Sequence, residues 1–137
     1  MIAWRMMLAG AFGGALSIAT SWLFTAFLFH RYQQLTPTTW RAEGWQQHAL
    51  ASALAVAGGA AFGLLYAATG GLLLYVSPHW WLQGAAFGAL VWATIALPAL
   101  LVTYVYVNLH RGVLVGLALD GLCAMLILGA CCARAAG

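Results

Sequence analysis

Lysine is absent from this chain and acid is nearly so. Glu43 and Asp120 are the only acidic side chains, set against five arginines, Arg5, Arg31, Arg41, Arg111 and Arg134. With 5% charged residues the chain lacks the polar surface of a soluble domain, in which about a quarter of residues carry charge. The arginines stand singly, so the net charge of +3 forms no basic patch, and nucleic acid is not an expected partner. Catalytic motifs are missing too: there is no nucleophile elbow, phosphate-binding loop, dinucleotide fingerprint or zinc-protease signature. Catalysis by this chain alone is not expected, and neither is a cofactor.

Cysteine is scarce and clustered. Cys123, Cys131 and Cys132 share the last apolar segment without Cys-x-x-Cys or Cys/His ligand spacing. Eight residues of helix separate Cys123 from Cys131 by about 12 Å, beyond the roughly 7 Å between Cα atoms that a disulfide spans. They read as small apolar residues, and no metal site is expected.

What the chain has in abundance is long hydrophobic runs. Hydrophobic residues make up 65% of the 137, and the mean hydropathy is +0.94. Four runs, at 6–29, 49–76, 82–107 and 112–133, each reach the roughly 20 residues that cross a hydrocarbon core about 30 Å thick. The first run is longer than the apolar core of a secretory signal, so a retained helix is expected. The second would make about 42 Å of continuous helix, and Gly70-Gly71 is its natural break. Fold class is therefore all-α: a single polytopic membrane domain of four helices in a compact antiparallel bundle, with the lipid bilayer as its first partner.

Three connections join the runs. Ser77-Pro78-His79-Trp80-Trp81 and Asn108-Leu109-His110-Arg111-Gly112 are short, which makes consecutive helices antiparallel neighbours. The 30–48 loop is longer. Thr36 suits a helix N-cap and Pro37 the first helical position, so a short interfacial helix is expected, with Arg41 stacked on Trp45. Trp40, Trp45, Trp80 and Trp81 are interface anchors. Arginine counts of three against two weakly favour a cytoplasmic 31–48 loop, and so balanced a chain fits an antiparallel homodimer.

Each run carries a Gly-x-x-x-Gly pair: Gly10 and Gly14, Gly59 and Gly63, Gly84 and Gly88, Gly112 and Gly116. Such pairs clear side chains from one stripe and let helix backbones approach closely in lipid. The first and third runs also echo each other in Ala11–Leu16 against Ala86–Leu90, in Ala19-Thr20 against Ala93-Thr94 and in closing His-Arg pairs. That points to a parallel two-plus-two repeat.

Asp120 is the residue most suggestive of chemistry. It lies eight residues after Gly112, about 12 Å into the last helix. An acid at that depth is costly when charged and marks either a functional site or an internal hydrogen bond. Thr94, Thr103, Tyr104 and Tyr106 of the third run and Ser17, Thr20, Ser21 and Thr25 of the first are its candidate partners. Asp120, Thr94, Tyr104 and Thr20 are the candidate proton or substrate site, beside the reading of Asp120 as a neutral acid in a structural hydrogen bond. Pro98 should kink the third helix and free the carbonyl near Thr94. His30 and His110 end co-directional runs and could meet, although interface histidines are ordinarily headgroup contacts.

The four-run pattern, the proline in the third run and Asp120-Gly121 in the fourth resemble small four-helix bacterial inner-membrane proteins of unknown function. That resemblance implies a multi-pass location in the bacterial inner membrane and implies no activity. The arginine-tyrosine and Thr-Thr-Phe-Ser signatures of the fluoride-channel family are not found. The reading that follows is an oligomeric or accessory membrane component, bound to copies of itself or to a membrane-protein partner. Its competitor is a minimal transporter or channel with Asp120 as the proton or cation site.

Overall fold

A computed structural model describes residues 2–39, 44–69 and 78–137. All regular structure among them is helical: α1 (Ile2–Phe24), α2 (His30–Gln33), α3 (Trp45–Thr69), α4 (Trp80–Val91), α5 (Leu97–Tyr106) and α6 (Arg111–Ala136). A wide π-helical turn over Thr25–Phe29 joins α1 to α2, and a second, over Trp92–Ala96, joins α4 to α5. Four stretches are long and apolar enough to span a membrane: Ile2–Phe27, Trp45–Thr69, Trp80–Tyr106 and Arg111–Ala136. Each begins ahead of its apolar run, and the last also ends beyond it, because a spanning helix continues into the headgroup layer. Trp80 and Trp81 accordingly open α4 rather than sit in a turn, and His79 stacks on Trp81.

Glycine sets the packing. A Cβ on Gly10 would strike the carbonyl of Gly59, one on Gly14 that of Ala55, and one on Gly63 that of Met6. As residue numbers rise along α1, those of its α3 partners fall. Between α4 and α6 the same arrangement recurs, with Gly84 against Gly129 and Gly88 against Met125. Bare backbone there lets the helices approach without a side chain between them. In α6, then, Gly129 takes the role expected of Gly112 and Gly116: Gly112 packs on the Tyr32 ring, and Gly116 is buried.

Neighbour order differs from the sequence expectation in one respect. α1 lies against α3 on one side and α6 on the other, and α6 lies against α4. Consecutive spans are neighbours within the pairs α1/α3 and α4/α6, whereas α3 meets α4 through aromatic rings. Phe87 stands edge-on to Phe62 and Tyr66, with ring centroids 5.1 Å away in each case. Glycine offers each of these two helices a tighter partner elsewhere. Met6, Leu128, Cys132 and Ala133 complete this buried cluster.

Pro98 has no N–H and its ring would press on the Thr94 carbonyl four residues back. The wide turn over Trp92–Ala96 absorbs that conflict, so the span stays helical through it. At the end carrying α2, a 3-10 turn occupies Pro37–Thr39, where the sequence places the start of a short interfacial helix. Trp40, Arg41 and Glu43, with the Arg41–Trp45 stack, lie outside the described residues, as do Gly70-Gly71.

Candidate functional site

Asp120 lies nine residues into α6, about 13 Å from its start. Facing it on α1, the Ser21 hydroxyl donates to the carboxylate, with Oγ 2.9 Å from Oδ2 and 3.1 Å from Oδ1. One hydroxyl proton is thus shared between two oxygens, and the bond ties α1 to α6. On the other flank Trp92 lies against Gly121, and its indole Nε1–H donates to the Ala118 carbonyl at 3.0 Å. The wide turn ahead of Pro98 holds that indole, so the proline and the acid belong to one local arrangement.

Of the remaining residues expected at the site, none is bonded to Asp120. Thr94 donates to the Leu90 carbonyl at 2.7 Å and Thr20 to the Ser17 carbonyl at 2.8 Å, each within its own helix. Ser17 likewise donates to Gly14 and Thr103 to Ala99. Hydroxyls in an apolar helix bond their own backbone because no water competes for them. Tyr104 is half-buried and Tyr106 is 85% exposed, near the end of α5. Ser21 breaks the pattern because the acid offers it a stronger acceptor.

Ser21 also lines a cleft of about 420 Å³ between α1 and α3. Its walls carry Ile18, Trp22, Ala51 and Ala55, and its polar groups are Ser21, Thr25, Ser52, His30 and His48. The cause is legible in the α1 stripe Gly10, Gly14, Ile18, Trp22, spaced by four. Backbones touch at Gly10 and Gly14. From Ile18 onward the α1 side chains hold the helices apart, while Ala51, Ser52 and Ala55 are too small to fill the gap. The wide turn over Thr25–Phe29 brings Thr25, Ala26 and then His30 onto the cleft wall.

The histidines are not paired as His30 with His110. His110 caps α6: its Nδ1 accepts the Gly112 N–H at 3.0 Å, and its ring stacks on Tyr32 at 4.9 Å. Thr39 donates to the Asn108 carbonyl at 3.2 Å beside it, which joins the two connections at this end. His30 instead shares the cleft with His48. Among the described residues no three His, Cys, Asp or Glu side chains gather as metal ligands, and Cys123, Cys131 and Cys132 are free thiols. Cleft-forming residues escape sequence reading because the cleft depends on which helix α1 packs against. The size step from Gly14 to Ile18 was the available signal.

The anchor tryptophans lie toward both ends of the bundle, Trp45 at the start of α3 and Trp80 and Trp81 at the start of α4, and all three are exposed. Comparison of the chain with protein families, with curated proteins and with solved structures found no match.

Proposed function

We propose that this multi-pass membrane protein handles a proton or small cation at Asp120, in the manner of a minimal transporter or channel. One observation carries the reading: the hydroxyl bonded to the half-buried acid also lines a cleft furnished with imidazoles and further hydroxyls. An acid serving only to hold helices together needs a bonding partner, but that partner has no reason to face a cleft. Intramembrane acids that border cavities are the usual stations of ion and proton pathways. The bacterial inner membrane is the location proposed for it, on the resemblance noted from sequence.

The accessory or oligomeric reading retains one specific support. The glycines of the α1/α3 and α4/α6 contacts are consumed within the chain, yet a Cβ on Gly58 would meet nothing within 4 Å, which leaves a smooth patch on the outer side of α3. Flux separates the two readings. Protein reconstituted in liposomes with an entrapped pH dye is expected to dissipate an imposed proton gradient, and Asp120→Asn to abolish this while eluting as the wild type does. A wild-type gradient that persists, or an Asp120→Asn variant that conducts equally, leaves the accessory reading.

A further inference from the structure

We propose that the α1/α3 cleft is an aqueous half-channel, leading from the His30/His48 end of the bundle to Asp120 with Ser21 as its last relay. This deepens the reading above by assigning the route. Three features carry it. First, the polar lining is graded in depth: His30 and His48 lie toward one end, Thr25 and Ser52 come next, and Ser21 lies deepest. From His30 to Ser21 is nine residues, about 13 Å of rise in helical geometry. Every polar group on that path both donates and accepts, which suits a chain of waters and offers no fixed charge to trap an ion. Second, the cleft is roomy enough for several waters, each taking about 30 Å³ of liquid volume. Third, toward the other end Met6, Phe62, Tyr66, Phe87, Leu128 and Cys132 pack into one buried, largely apolar cluster, in contrast to the polar lining of the cleft.

The relay step balances. A hydronium in the cleft passes a proton to Ser21 Oγ as that hydroxyl gives its own to Asp120 Oδ2. The carboxylate becomes a carboxylic acid and the hydronium a water. Release runs the same steps backward. Titratable and charged groups on the elements around Asp120 are His30, Arg31 and Tyr32 on α2, His48 and Tyr66 on α3, Tyr104 and Tyr106 on α5, and Arg111 at the start of α6. Cys123 is the nearest on α6 itself, while Arg5 lies at the far end of α1. Only the two histidines line the path.

Carbodiimide labelling tests the route without any flux. Asp120 and Glu43 are the only acidic side chains, so the mass of the labelled peptide assigns the modification. In liposomes, a water-soluble carbodiimide with a charged amine is expected to modify Asp120 in the wild-type protein. Filling the cleft with Ser52→Trp, or independently with Ala51→Phe, is expected to abolish that modification, while lipid-soluble dicyclohexylcarbodiimide still reacts. Agreement of two filling variants that elute like the wild type guards against one that misfolds. Reaction with the lipid-soluble reagent alone in the wild type would overturn the half-channel, because the cleft then holds lipid. So would equal reaction in the filled variants, or no reaction with either reagent. Labelling with no measurable flux would leave the route standing and remove the transport reading.

Discussion

At the residue scale, the Ser21–Asp120 bond is where structure and chemistry meet, and its strength is testable apart from any transport. Interhelical hydrogen bonds in membranes average about 0.6 kcal/mol and reach about 1.7. Ser21→Ala is therefore expected to lower stability to unfolding in sodium dodecyl sulfate by an amount in that range, and the loss should shrink in the Asp120→Asn background if the two side chains act together. Trp92→Phe keeps the ring and removes the donor to Ala118. A cost of about 0.5–1.5 kcal/mol in the same titration is expected. Asp120 was conspicuous in the sequence because a lone acid in apolar helix has few innocent explanations. Its partner was less so: Ser17, Thr20, Ser21 and Thr25 form one stripe, and nothing local tells which hydroxyl turns away from its own backbone. That choice is made by α6, which lies 99 positions further along the chain.

At the scale of elements, helix pairing follows the glycines, and two adjacent residues separate cause from coincidence. A Cβ at Gly59 would meet the Gly10 carbonyl, whereas one at Gly58 meets open space. Gly59→Ala is expected to cost about 1–3 kcal/mol, since rigid backbone must give way, and Gly58→Ala to change stability by no more than about 0.5 kcal/mol. Both are measured by thermal unfolding in detergent, and equal effects would remove glycine contact as the basis of pairing. The four spans were legible in the sequence because length and hydropathy suffice for that. The choice among 16 glycines was not: Gly112 and Gly116 carry the same spacing as Gly10 and Gly14, but only the facing helix decides which pair is used. Pro98 was visible as an interruption, while the wide turn that accommodates it and aims Trp92 was not, because a π turn has no periodic signature.

At the scale of the whole molecule, an aromatic cluster packs one half of the bundle, and a cleft opens along α1/α3 in the other. Phe87 holds the cluster, since its ring is the meeting point of the α4/α6 pair with Phe62 and Tyr66 of α3. Phe87→Ala is expected to cost about 3–5 kcal/mol and, in the same carbodiimide assay, to admit reagent to Asp120 even when Ser52→Trp fills the cleft. Composition marks the ends unequally only in histidine, with His30, His48 and His110 at one and His79 at the other, while arginine and tryptophan divide almost evenly. The asymmetry arises from where small residues face large ones across two helices. The half-channel requires that Asp120 exchange protons with water through the cleft. Infrared titration of its carboxyl band in nanodiscs, with Asp120→Asn as the blank, reads that exchange. The expected band follows bulk pH, shifts in heavy water and changes frequency in Ser21→Ala. A band unmoved by pH, by heavy water and by Ser21→Ala would contradict the half-channel.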